Sequence, residues 1–144
     1  MAACTIIQTD WANDAQRLAA IRRTVFIDEQ GVPEELEWDE FDEASVHFLA
    51  ITDDGAAIGC ARLLPDGHLG RMAVLPAWRR RGVGSALLQA ALARARQKGL
   101  RQVGLHAQVQ AIPFYARFGF QAHGPEFDEA GIPHRGMNLD LTEN

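Results

Sequence analysis

Leu69-Gly-Arg-Met-Ala-Val-Leu-Pro76-Ala-Trp-Arg79-Arg80-Arg81-Gly82-Val83-Gly84-Ser85-Ala86-Leu87-Leu88 is the stretch on which the reading of this chain turns. An apolar, strand-like run ends at Pro76, three arginines follow, and two glycines open onto a helical pattern. Gly82 and Gly84 have no Cβ, so a ligand can approach the backbone closely there. The first N–H groups of a helix have no intrahelical partner, and together with the helix dipole they attract anions. Arginines add charge and planar donor forks suited to phosphate oxygens. The stretch reads as a pyrophosphate cradle, held by the side chain of Arg79 or Arg80 and the N–H groups of Arg81, Gly82, Val83, Gly84 and Ser85. Two familiar phosphate loops fit less well. The Lys-Ser/Thr pair of a Walker loop is missing, and Leu87 stands where a dinucleotide fingerprint needs its third glycine.

Working outward, Cys4 to Gln8 is a short β-like run, and Asn13 or Asp14 is placed to cap a helix continuing to about Ile27. Gly31-Val32-Pro33 ends that helix, and an acidic loop follows. Val46–Ile51 and Ala57–Leu64 flank Asp53-Asp54-Gly55 as a hairpin, and Pro65-Asp66-Gly67 turns into a strand over 68–75. Val83, Ala86, Leu87, Ala90 and Ala91 share one face of a helix stopped by Gly99. Gln102–Ala107 is a further strand, Ala111–Phe118 a short helix and His134–Leu141 a final strand. The order β-α-β-β-β-α-β-α-β implies an α/β fold, a mixed central sheet of six or seven strands flanked by about four helices. The 144 residues suit one domain, 1–144.

Composition is that of a soluble globular protein, with 47% apolar and 23% charged residues. There is no apolar run long enough for a membrane span and no signal-like start, so a membrane role is not expected. Cys4 and Cys60 have neither disulfide-framework nor zinc-ribbon spacing, and a reducing cytoplasm is the natural home. The histidines show no ligand spacing, so no metal is expected. A net charge of −5 argues against nucleic acid as a partner. The acidic residues are concentrated: Asp28, Glu29, Glu34, Glu35, Glu37, Asp39, Glu40, Asp42 and Glu43 fall in one segment with no Lys or Arg from Thr24 to Ala61. One region is suited to an anion, and another is able to attract a cation.

Arg79-x-x-Gly82-x-Gly84, after a strand and a proline, resembles the acetyl-CoA-binding motif of the GNAT superfamily of N-acetyltransferases. Ala111-Ile-Pro-Phe-Tyr115-Ala-Arg-Phe-Gly119-Phe120 resembles the second signature of that superfamily, Ala-x-x-x-Tyr-x-x-x-Gly-Phe. The two occur in order about 30 residues apart, and the element order outside 69–120 matches as well. Val25-Phe-Ile-Asp-Glu-Gln-Gly-Val-Pro-Glu-Glu and Phe127-Asp-Glu-Ala-Gly-Ile-Pro-His134 further resemble a small bacterial subgroup of undefined substrate.

The resemblance implies direct acetyl transfer from acetyl-CoA to a primary amine of a small molecule or peptide, with a homodimer left open. It implies that the strand carrying Met72, Ala73 and Val74 splays from its neighbour and pairs with the pantetheine amides, an N–H near Val74 polarising the thioester carbonyl. The side chains of Met72 and Val74 are expected in the core. Tyr115, the one tyrosine, stands where these enzymes protonate the departing thiolate; the competing reading is a packed core tyrosine. Gln108 occupies the position of an asparagine that contacts the pantetheine arm. Acceptors of this superfamily are usually cationic, which makes Glu29, Gln30, Glu34 and Glu37 candidates for binding the amine, with Trp38 and Phe41 either forming an apolar wall or pinning the loop to the core. The competing reading of the acidic segment is a solvated loop. Glu37, His106 or a water chain is the candidate base, and His134, after Gly-Ile-Pro, is a further acceptor-side candidate. A satisfied structural histidine is the alternative for both. Cys60 reads as a small buried hydrophobe. Two other classes compete with the enzyme: a non-catalytic acyl-CoA-binding sensor, and a dinucleotide oxidoreductase that the absent third glycine disfavours.

Overall fold

The computed structural model describes residues 4–142; residues 1–3 and 143–144, the two ends of the expected domain, lie outside the described residues. Seven strands form one sheet, β1 (Cys4–Thr9), β2 (Val46–Thr52), β3 (Ala57–Leu63), β4 (His68–Val74), β5 (Gln102–Gln108), β6 (Gln121–Glu129) and β7 (Ile132–Asp140), in the order β1-β2-β3-β4-β5-β7-β6. Every pairing is antiparallel except β4 with β5. Parallel neighbours need a crossover, and α3 (Val83–Gln97) supplies it.

Alternation along the central strands loads both faces of the sheet. On one face Phe48, Ala50, Ile58 and Ala61 pack against Val83, Leu87, Leu88 and Ala91 of α3. On the other, Leu49, Cys60 and Ala73 pack against Leu18 and Ile21 of α1 (Trp11–Arg22) and against Val25. Gly59 lets α3 come close, since a Cβ there would stand 3.0 Å from the Leu87 side chain. Cys60 is buried as expected, and burial pushes its thiol up to about 12. No described helix is long and apolar enough to cross a membrane.

Four local features differ from the expectations. The N-cap of α1 is Asp10, whose carboxylate accepts from the Asn13 N–H at 2.9 Å, while Asp14 has non-helical φ and ψ. Beyond Arg22 the chain continues as a π-helical segment, Arg23–Glu29, with the Gln30 N–H on the Val25 carbonyl. The acidic stretch contains one helical turn, α2 (Glu34–Glu37). Strand β6 was hidden by Gly124-Pro125, which reads as a breaker. It sits at the sheet edge, where a proline is tolerated, and its register shifts between His123 and Phe127.

Candidate active site

Strands β4 and β5 are paired only at His68 with Gly104 and Leu69 with Leu105. Beyond those pairs they part. A bulge assists the departure: the β3–β4 register shifts between Cys60 and Arg62, and Arg71 takes a positive φ of 46°. The opening is a cleft of about 590 Å³ lined by β4, β5 and α4 (Ile112–Ala116). A second cavity of about 600 Å³ continues from it through His68, Arg71, His106, Gln108, Glu129 and His134.

Of the residues expected to hold the co-substrate, Met72, Ala73, Val74, Arg79 and Gln108 line the first cleft, and residues 80–85 do not. The Leu75 N–H donates to the Ile58 carbonyl at 2.9 Å across β3, so strand alternation turns the Val74 N–H and C=O toward the cleft. Met72 and Val74 line it with half-buried side chains packed against the core cluster beneath α3, and Ala73 is fully buried on the opposite face. Gly82 caps α3 with φ 83°, and a Cβ there would meet nothing within 4 Å. The first capping bond runs from the Ala86 N–H to the Gly82 carbonyl at 3.0 Å, and the N–H groups of Arg80 through Ser85 donate to no acceptor among the described residues. A fifteen-residue helix thus points its unpaired N–H groups outward. Gly84 lies close to Phe114 and Val74, at 3.6 and 3.9 Å from its would-be Cβ, which ties this terminus to the cleft wall.

The three arginines divide their work. Arg79 is latched to Glu29 by bonds of 2.6 and 2.7 Å and donates from Nε to the Val74 carbonyl at 2.9 Å. Arg81 stacks on Trp78, 5.1 Å from the ring centroid. Arg80, at φ 64°, has no side-chain partner among the described residues. Of the two side chains expected to reach an anion, Arg79 is therefore committed elsewhere and Arg80 is available. Tyr115 lines the same cleft, packed edge-on against Phe114 and Phe120, and burial pushes its phenol up to about 12. The phenol keeps its proton at neutral pH and forms no hydrogen bond among the described residues. Gln108 donates to the Gln30 side chain at 2.8 Å and accepts from Gln110 at 2.6 Å, so an amide chain spans the cleft.

Five of the nine carboxylates of the acidic segment are paired with arginines from outside it, and Asp28, Glu35, Glu40 and Glu43 stay exposed. Buried Arg22 binds Glu37 at 2.8 Å and Asp42 at 2.7 Å. Arg62 binds Asp39 and Asp42, and Arg71 binds Glu37 and Asp39. Glu29 is held by Arg79, and Glu34 by Arg23 at 2.6 Å. Burial pushes the Glu37 carboxyl up while Arg71 and Arg22 pull it down; burial likewise acts against Asp42, but Arg22 and Arg62 hold it below the usual carboxylate range. Glu37 faces the second cavity with its Oε2 shared by two guanidinium groups, and burial leaves its carboxyl above the usual carboxylate range. Glu34 lines neither cavity. Trp38 covers Arg22 and Arg23 instead of walling the site, while Phe41 and the unforeseen Leu36 are exposed at the second cavity.

The histidines gather where the cavities meet. His106 Nδ1 lies 2.8 Å from Glu129 Oε1, and its ring sits edge-on between His68 and Phe127, 4.9 Å from each. His134 is buried, with Nδ1 2.7 Å from the Ile132 carbonyl oxygen. Burial, followed by the nearby His106, holds His68 below the usual imidazole range. The sequence assigns no role to His68, Arg71 or Glu129, although Arg71 falls in the quoted stretch 69–88 and Glu129 in the stretch 127–134.

The family model described as an acetyltransferase (GNAT) domain matches residues 12–141. The protein YyaT of Bacillus subtilis is 36% identical over 137 residues, 91% of this chain and 92% of its own length. The uncharacterized N-acetyltransferase YjcF of the same organism is 38% identical over 124 residues, 83% and 88% of the two chains. Among solved structures, an acyl-CoA N-acyltransferase from Pseudomonas aeruginosa superposes with a TM-score of 0.83 at 30% identity, covering 94% of this chain and 98% of its own. A parted β4–β5 pair, a glycine-capped helix with unpaired N–H groups and a matching domain over nearly the whole chain lead to one conclusion: the protein belongs to the GNAT acetyltransferase family, whose members draw on acyl-CoA donors.

Proposed function

We propose that this chain is a single-domain, acetyl-CoA-dependent N-acetyltransferase that passes an acetyl group directly to a primary amine of a small molecule or peptide in the cytoplasm. The observation that carries the proposal is a cleft lined by Val74 and Tyr115 that opens into a second cavity, with the α3 terminus set against its wall where Gly84 meets Phe114 and Val74. The residues fit the co-substrate. The N–H groups of Arg81 through Ser85 and the Arg80 guanidinium suit a pyrophosphate, and Gly82 leaves room for it. Met72 and Val74 offer backbone groups to pantetheine amides, Ala73 being paired with Cys60 on β3, and the Gln108 amide lies at the far end of the cleft.

In the reaction the Val74 N–H stabilises negative charge on the thioester oxygen. His106 Nε2 takes the proton that the attacking nitrogen loses, and the Tyr115 hydroxyl protonates the departing sulfur. Holding two reactants along one channel supplies much of the rate gain. Gln30 and His134 contact the acceptor, whose apolar part rests on Leu36 and Phe41. Glu29 and Glu34 belong instead to the arginine latches. A panel of polyamines, amino acids, peptides and aminoglycosides, assayed for free thiol release from acetyl-CoA and for acetylated product, tests the reading. Tight acetyl-CoA binding with no product from any amine favours the non-catalytic sensor.

A further inference from the structure

Glu129 stands at the tip of the β6–β7 hairpin. It is paired with Ile132 across a two-residue turn, and both turn residues, Ala130 and Gly131, take positive φ, 54° and 80°. Such a primed turn fixes its flanking residues closely. The hairpin delivers the Glu129 carboxylate to His106 Nδ1 at 2.8 Å, with His134 Nε2 4.0 Å from the other oxygen. An ionised carboxylate only accepts, so His106 must carry its proton on Nδ1, and Nε2 keeps its lone pair. That nitrogen forms no hydrogen bond among the described residues, and the ring lines both cavities. Packing against His68 and Phe127 limits rotation of the ring.

We propose that Glu129 is a positioning residue for amine acetylation, holding His106 in the Nδ1–H tautomer with Nε2 presented to the acceptor nitrogen. The proposal rests on the reading of His106 as the base. Nε2 accepts the proton lost as the C–N bond forms and the C–S bond breaks; the phenol proton of Tyr115 goes to sulfur, and both side chains are reset by exchange with solvent. Glu129 moves no proton to the substrate and stabilises the imidazolium through the Nδ1–H bond. The charged or titratable groups around His106 are His68 and Arg71 on β4, Arg62 on β3, His123, Asp128 and Glu129 on β6 and His134 on β7, with Glu37 and Asp39 lining the same cavity. Glu129 is the carboxylate among them that is hydrogen-bonded to His106.

Nitrogen-15 chemical shifts of the ring nitrogens above pH 8 test the tautomer without any acceptor. The wild type is expected to show His106 as Nδ1–H, and Glu129→Ala to show a mixture dominated by Nε2–H. With the best amine from the panel, Glu129→Ala lowers kcat/KM roughly tenfold, below the loss for a fully buried orienting carboxylate, because this pair is half exposed. Glu129→Gln keeps an acceptor on Nδ1 but no charge, so it retains the Nδ1–H tautomer and loses less kcat/KM than Glu129→Ala. His106→Gln loses about 100-fold, and adding Glu129→Ala to it costs nothing more. An unchanged tautomer in Glu129→Ala, or an additive double variant, overturns the proposal while the base reading stands. Wild-type turnover in His106→Gln removes the base itself, and the proposal falls with it.

Discussion

The donor end of the cleft draws on two short contiguous stretches, residues 68–88 and 108–120, and works largely through backbone groups. The acceptor end gathers Glu37 and Phe41 from the long connection after α1, His68 and His106 from two sheet strands, and Glu129 and His134 from the terminal hairpin. Its side chains are held by partners distant in sequence: Arg22 with Asp42, Arg62 with Asp39, His106 with Glu129. The donor end leaves N–H groups and one guanidinium unpaired, whereas the acceptor end balances nearly every charge it buries. A backbone device survives most side-chain changes. A network of buried ions does not.

The largest expected effect lies in that network. Arg22 is 1% exposed and serves Glu37, Asp42 and the Glu37 carbonyl at once. Arg22→Met takes one of two guanidinium partners from each of two buried carboxylates, leaving Glu37 to Arg71 and Asp42 to Arg62. It should cost about 3–5 kcal/mol of stability, a fall in Tm of roughly 10 °C or more, read by urea and thermal melts. A loss under about 1 kcal/mol would mean that the acceptor end is as tolerant as the donor end. Next comes Tyr115→Phe, which keeps the ring packing and removes one proton. With the best amine, kcat should fall about 100-fold while acetyl-CoA affinity is unchanged. Wild-type turnover would make Tyr115 a packing residue.

What was legible follows the same division. The glycine-capped start of α3 is readable because Gly82, Gly84 and the helix behind them act within one turn of chain, and β1 to β5 follow from period and turn residues. The acidic segment misled, because the absence of Lys or Arg between Thr24 and Ala61 is a statement about sequence neighbours. Arg62 lies one residue beyond that gap and Arg71 ten, and strand pairing brings both onto Asp39. Arg79, expected on a phosphate, was beyond reach for the same reason: its partner Glu29 lies 50 residues away. Glu129 was lost with β6, since Gly124-Pro125 is a turn signal unless an edge strand with a register shift is allowed for.

A tenfold effect is expected at the cradle. Gly82 needs a left-handed backbone, which asparagine tolerates better than other side chains. Gly82→Asn therefore adds bulk in the open space with little loss of fold. Acetyl-CoA affinity should fall by about tenfold, equivalent to roughly 1.4 kcal/mol, measured by calorimetry with a thermal melt as control. Unchanged affinity would separate the α3 terminus from the co-substrate.

The smallest effect is the one that sets the two ends apart most directly. Nine carboxylates between Asp28 and Glu43 suggest a field that pulls in cationic amines, with kcat/KM falling as salt screens it. The structure removes most of that field: Glu37, Asp39 and Asp42 are matched by Arg22, Arg62 and Arg71, and Glu29 and Glu34 have arginines of their own. Neutral clusters a few ångströms across project little potential beyond a Debye length of about 10 Å at 0.1 M. At saturating acetyl-CoA, kcat/KM for the best amine should therefore change less than about twofold between roughly 0.05 and 0.5 M ionic strength. The acetyl-CoA dissociation constant should rise over the same series, because the unpaired N–H groups and Arg80 attract an anion. A steep fall in kcat/KM for the amine would show that the four remaining carboxylates, Asp28, Glu35, Glu40 and Glu43, steer the acceptor after all, and their combined neutralisation would then flatten the response.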